Sequence, residues 1–235
     1  PAKFRRYQDI IDAYLSKGDE KMLNMLNAKY IISQKEQVVA RPGAFGNAWF
    51  VNNLNFVNSP DEEIVAINNI DPLQTAVLLE REFPGYVDKN ANFTKSGSIS
   101  LTSYEPNLMT YQSNAEGDQF AVFSEVWYDS GKGWEAYIDG KPVKHVRVDY
   151  ILRGLKIPAG SHTIEFKFFP KPVLTAINLS FWINNLIGLL FLGIIGWWFY
   201  NDYKKSRSEP ISIVEPKFIA TTSSKATIKS KKARK

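Results

Sequence analysis

The stretch from Pro172 to Asn201 constrains this chain more than any other, because its 30 consecutive residues include no Asp, Glu, Lys or Arg. About 20 mostly apolar residues cross the hydrocarbon of a bilayer as a helix, so the centre of the stretch, Leu179 to Tyr200, is long enough to span. Phe181 and Trp182 at one end, and Trp197, Trp198, Phe199 and Tyr200 at the other, are amphipathic rings of the kind that settle at headgroup level on each side. Helices of soluble cores rarely run so far without charge, and the expectation is one transmembrane helix with its flanks over residues 173–203. Gly188, Gly193 and Gly196 would let other helices approach closely. Asn184 and Asn185 either seek partners in such a bundle or meet water near the outer interface.

Charge changes sharply where this stretch ends. Residues 200–235 carry ten Lys or Arg against Asp202, Glu209 and Glu215, a net of +7, whereas the preceding 199 residues carry a net of −2. Lys204, Lys205 and Arg207 follow the helix at once, and the positive-inside rule assigns such a cluster to the cytoplasm. Residues 204–235 are then expected to be a basic, disordered cytoplasmic tail, serving as a topology signal or a contact for anionic lipid. Everything up to residue 172 is expected outside the cytoplasm. The first turns after Pro1 carry Lys3, Arg5 and Arg6 with no apolar run behind them, so no signal peptide is expected there. Delivery across the membrane then falls to hydrophobic segments upstream, in a polytopic parent protein.

The absence of cysteine excludes disulfide scaffolds, thiolate zinc sites and cysteine nucleophiles. The two histidines are too few for most histidine-based metal sites. No GxSxG, HExxH, P-loop or GxGxxG pattern occurs, and no cofactor is expected. The basic tail carries no folded reader of nucleic acid.

From about Ser98 the chain becomes a series of short apolar-polar alternations between turn signals. SISLTSY, NLMTYQSN, QFAVFSEVWY, WEAYIDGKPV, HVRVDYILRGLKI and SHTIEFKFF read as at least six strands, the pattern of an antiparallel β-sandwich or jelly roll over residues 86–172. In QFAVFSEVWY strict alternation puts Phe120, Val122, Ser124, Val126 and Tyr128 on one face, and Ala121, Phe123, Glu125 and Trp127 on the other. Both faces are apolar, as in a central strand covered on both sides. Residues 1–85 read instead as a mixed α/β segment. Phe4, Tyr7, Ile10, Ile11, Tyr14 and Leu15 keep helical spacing, Ser59-Pro60-Asp61-Glu62 is a capped helix start, and AWFVNNLNFV and TAVLLE are strand-like. Pro84-Gly85 is the expected boundary. The fold class is therefore α+β: a mixed segment, an antiparallel sandwich and one C-terminal transmembrane helix.

Candidate recognition residues lie on the strands around the loop at 129–133. Trp127, Tyr128, Trp134 and Tyr137 are aromatics of the type that stack on sugar C–H groups, although the interior of a sandwich uses the same residues. Glu125, placed mid-strand among apolar neighbours, needs a partner, and Arg153 is the expected one, in a structural ion pair. Asp61-Glu62-Glu63 suits the positive end of a helix dipole better than a metal site.

Several of these stretches resemble a known family. LNAKYII (26–32), GNAWFV (46–51), YEPNLMTYQSNA (104–115), FSEVWYDSGKGWEAYIDGKPV (123–143) and DYILRGLKIPAGSHTIEFKFFP (149–170), followed by a single terminal helix, are similar to the C-terminal portion of the bacterial YfhO family of large polytopic membrane proteins. The resemblance implies a GT-C-type glycosyltransferase of the cytoplasmic membrane that moves sugar from a polyprenyl-phosphate carrier to a cell-envelope acceptor. It also implies a catalytic carboxylate in an early extracytoplasmic loop upstream of Pro1, so that no catalytic residue falls on this chain. The alternative expectation is a membrane-anchored, non-enzymatic binding module for envelope glycan or a partner protein. The expected partners are the lipid bilayer, the parent's other helices and, on either reading, sugars.

Overall fold

A computed structural model of the chain describes residues 5–32, 37–128 and 133–208. The expected tail beyond Ser208 and residues 129–132 of the loop before Trp134 lie outside the described residues. The chain divides into two compact units, residues 1–178 and 179–235.

The first unit begins with helices α1 (Arg5–Ala13) and α2 (Glu20–Met25). Asp19 caps α2 by accepting the Met22 N–H at 2.7 Å. Strands β1 (Tyr30–Ile32) and β2 (Val38–Ala40) form an isolated antiparallel pair whose Tyr30, Ile31, Ile32, Val38 and Val39 are all exposed. AWFVNNLNFV then forms two strands, β3 (Ala48–Val51) and β4 (Asn53–Val57). Helix α3 (Pro60–Ala66) links β4 to the parallel strand β5 (Thr75–Leu79). The Ser59 hydroxyl accepts the Glu62 N–H at 3.2 Å as a cap should. The Glu62 carboxylate reaches back to the N–H of Asn58 at 2.9 Å, one residue before the cap.

The six expected strands of the second segment become eight, because two of them turn within themselves. They are β6 (Ser98–Glu105), β7 (Leu108–Ala115), β8 (Gln119–Val126), β9 (Trp134–Ile138), β10 (Lys141–Val143), β11 (Val146–Val148), β12 (Leu152–Ile157) and β13 (Gly160–Phe168). Asp139 and Gly140, with φ of 50° and 75°, make the two-residue turn between β9 and β10 that an Asp-Gly pair favours. The Asp139 carboxylate also accepts the Thr163 N–H at 2.9 Å and meets His162 Nδ1 at 2.6 Å, which ties the hairpin to β13.

Two antiparallel sheets result, in the orders β10-β9-β13-β7-β6 and β11-β12-β8-β3. Their facing sides enclose Phe50, Met109, Tyr111, Ala121, Phe123, Ala136, Leu155, Ile164 and Phe166. The opposite side of the four-stranded sheet carries Trp49, Val51, Phe120, Val122, Val146 and Val148, packed with Ile10, Tyr14, Met22, Met25 and all of Ala76–Leu79. The helices and the parallel pair thus form a third layer. β8 is covered on both faces, as its sequence predicts.

The expected boundary at Pro84-Gly85 does not divide this packing. β3, from the mixed segment, pairs with β8 in the sandwich sheet, and the mixed segment shares one core with that sheet. A strand of four residues offers no sequence signal of a partner some 70 residues away, which is why the two segments read as separate.

The second unit lies on helix α4 (Lys171–Ser208), which begins three residues after β13 ends. It is long and apolar enough to cross a membrane, and none of its most apolar window is buried. Asn185 donates its side-chain amide to the Phe181 carbonyl, one turn back, at 2.8 Å.

Candidate functional site

The four candidate aromatics do not share one environment. β8 and β12 run in regular register from Gln119 to Phe123, and the pairing then shifts, so that Arg153 faces Phe123 while Leu152 faces Val126. Ser124 and Glu125 are the surplus residues of a β-bulge, and such a bulge re-aims the side chains that follow it. Trp127 therefore packs with the helix-side core rather than with Phe123 between the sheets, which corrects the strict alternation read from the sequence. Its ring meets Phe83 edge-on at 5.7 Å, and the Arg147 guanidinium lies 5.1 Å from its centroid. Tyr128, half-buried, has its carbonyl 3.0 Å from His145 Nε2. Trp134 lies at the edge of the core between the sheets, half-buried against Phe168. Tyr137 points to the outer face of the five-stranded sheet, where its hydroxyl donates to Glu135 at 2.9 Å.

Arg153 is 2 % exposed. Its guanidinium lies 4.6 Å from the Trp134 centroid and 5.0 Å from that of Phe166, and its Nε donates to the Val126 carbonyl at 3.0 Å. Burial pushes its pKa down to about 10, and Glu125 is the leading charge that opposes this effect. Glu125 in turn is the first cause that raises the Tyr104 hydroxyl above its ordinary pKa. Within the described residues the guanidinium is held by the Val126 carbonyl and the two rings, and Glu125 makes no ion pair with it within 4 Å.

A second cluster, on the helix side, lies outside the candidate recognition residues. Glu63, one of the three helix-start carboxylates, is fully buried. It takes the Arg6 guanidinium at 2.6 Å and the Tyr150 N–H at 3.1 Å. Arg6 also reaches Glu82 at 3.2 Å, and Glu82 pairs in turn with Arg147. The Arg6 guanidinium sits 4.4 Å above the Tyr150 ring, and the Tyr150 hydroxyl donates to Asp9 at 2.9 Å. Asp149 is fully buried; one of its oxygens accepts the Val77 N–H at 2.8 Å, and the other has no hydrogen-bond partner. Asp149 and Tyr150 both hold positive φ, 48° and 70°. For residues with side chains this costs on the order of 1–3 kcal/mol each, and it persists only where the surroundings enforce it. Here they do so through Glu63, Val77 and Asp9, each bonded to this turn. A signal of this cluster did exist in the sequence: Asp149-Tyr150 sits between two apolar strands where Gly or Asn would be usual.

Burial raises the Asp149 carboxyl to about 8, the Val77 hydrogen bond opposes this, and nearby Glu63 adds to it. Glu63 is raised too, by burial first, against the pull of Arg6 and Arg147. A carboxyl whose folded pKa exceeds its unfolded value near 4 keeps a proton that the unfolded chain releases. Stability is then greatest at the acid end of the interval between about 4 and about 8 and falls as pH rises through it. Thermal unfolding followed at several pH values should show the native chain losing stability from pH ~5 to ~8. Asp149→Asn should flatten most of that slope, with the Glu63 share remaining. Parallel profiles for the two chains would show that another group is responsible.

Arg5, Arg6, Asp9, Asp61, Ile64 and Tyr150 line a cleft of about 740 Å³ beside this cluster. Among the described residues, no group of three or more His, Cys, Asp or Glu is placed to hold a metal ion.

Known proteins extend this picture at the level of family. The family described as bacterial membrane protein YfhO matches residues 22–180, more than half of the chain and the first ten residues of α4. No curated protein and no solved structure matches. The sandwich, its third layer from Met22 onward and the start of an apolar helix are thus matched as one continuous stretch, and the chain belongs to the YfhO family of bacterial membrane proteins.

Proposed function

We propose that this chain is the extracytoplasmic C-terminal domain and last membrane helix of a protein that transfers sugar from a polyprenyl-phosphate carrier to a cell-envelope acceptor. The catalytic carboxylate lies upstream of Pro1. The observation that carries the reading is the family match, which runs without a break from the folded domain into α4. The uncharged stretch 172–201, followed at once by Lys204, Lys205 and Arg207, supports an outside domain and an inside tail.

Orientation is directly testable because the chain has no cysteine. Single cysteines at exposed positions, Ser100→Cys and Ser206→Cys, should differ in labelling by a membrane-impermeant maleimide. Ser100→Cys should react in intact spheroplasts, and Ser206→Cys only after lysis; the reverse order would overturn the topology. Transfer itself is read in liposomes holding the whole parent protein and a polyprenyl-phosphate sugar with a radiolabelled sugar. Label should move to an envelope polymer, and retention on the carrier with every acceptor tried would refute the activity.

A further inference from the structure

The cleft beside the buried charge cluster has the size of a small-molecule site, about 740 Å³, within the range of roughly 300–1,000 Å³ over which such sites fall. The part of its polar wall made by Arg6, Asp9 and Tyr150 is fixed in advance. Arg6 is held by Glu63, Glu82 and the Tyr150 ring; Asp9 is held by the Tyr150 hydroxyl; Tyr150 is held by Glu63 through its N–H. Groups already ordered lose little freedom when a ligand arrives.

The charges around the cleft narrow the ligand. Asp9, Asp12 and Asp61 line it together with Arg5 and Arg6. Two guanidinium groups disfavour a cation, and the described carboxylates do not converge as metal ligands. Three carboxylates disfavour a phosphate or another anion. What both signs accept is a neutral group that donates to carboxylate and accepts from guanidinium at once, and a hydroxyl does both. Ala13, Pro60 and Ile64 add apolar wall suited to the C–H faces of a ring.

We propose that this cleft binds a neutral, hydroxyl-rich ring compound, one or two pyranose units in size. The proposal deepens the reading above by assigning sugar recognition to this chain, and rests on that reading only for the source of the sugar. Asp9 and Asp61 accept ligand hydroxyls, and Arg5 donates to them.

Saturation-transfer-difference NMR and calorimetry on the full chain in detergent micelles provide the test. The probes are D-glucose, N-acetyl-D-glucosamine and maltose, with inorganic phosphate and calcium chloride as ionic comparisons. At least one saccharide should bind saturably. Asp61→Asn, at an exposed position of α3, should weaken binding about tenfold, the loss of roughly one charge-assisted hydrogen bond. Asp9→Asn should do the same, and should Asp9→Asn fail to fold, Asp61→Asn alone decides. No saturable saccharide binding, binding unchanged in Asp61→Asn, or saturation by phosphate or calcium but by no saccharide would each overturn the site. A negative result here leaves sugar transfer by the parent protein untouched, and a negative liposome assay leaves this binding measurement standing.

Discussion

Phe123→Ala will cost the folded domain about 4 kcal/mol, within the range for removing a buried aromatic ring from a core. Phe123 is fully buried on β8, where its ring meets Tyr111 and Phe166 edge-on, each at 4.9 Å. Those two partners come from β7 and β13 of the facing sheet, so one truncation opens a hole at the centre of the interface between the sheets. Nearby backbone cannot close on it, because β8 is pinned by β3 on one side and β12 on the other. A domain of ordinary stability, about 5–15 kcal/mol, would be left near the point of unfolding. Denaturant unfolding of the full chain in micelles, followed by near-ultraviolet circular dichroism, measures the loss. A change below about 1 kcal/mol would show that the sheets do not pack through these rings.

Glu63→Ala should come next, at about 3 kcal/mol, the lower end of the cost of removing one member of a buried ion pair. The figure sits at that end because Arg6 keeps some contact with water, its side chain being 22 % exposed, and retains Glu82. Most of the loss falls on the Tyr150 N–H, which is left buried without an acceptor. Glu63→Gln should recover much of it, since an amide oxygen can take that N–H. The substitution should also shift the titration of Asp149. Glu63 helps to hold the Asp149 carboxyl high, so in Glu63→Ala the pH-dependent loss of stability should move to lower pH. Equal stability of the Ala and Gln variants would remove the hydrogen bond from this account.

The sequence exposed those features whose causes are local. Alternation located the sandwich strands from Ser98 onward, though with β9–β10 and β11–β12 each as one strand and without β3, the Asp139-Gly140 turn announced its hairpin, and Ser59-Pro60 announced α3. The helix over 171–208 was legible because thirty uncharged residues leave few other structures open. Features that depend on distant partners were not legible. Nothing near Glu125 reveals that β8 carries two surplus residues against β12, and so strict alternation puts Trp127 on the wrong face. Glu63 looks like a helix-start carboxylate because it is one; its burial is decided by Arg6 and by Tyr150, 87 residues further on. The candidate aromatics scattered for the same reason, since sequence proximity across a loop does not fix which layer each ring joins.

The join between β13 and α4 has a mechanical consequence. β13 pairs with β7 over eight residues and with β9 over five, so it lies between two ladders, inside the five-stranded sheet. A pull along the strand at Lys171 would load the hydrogen bonds of both ladders together in shear; they would not open one after another, as at a frayed edge. Such a joint yields late. Force reaching the end of β13 would therefore be shared by the strands on both sides of it, and the sheet would give as a block.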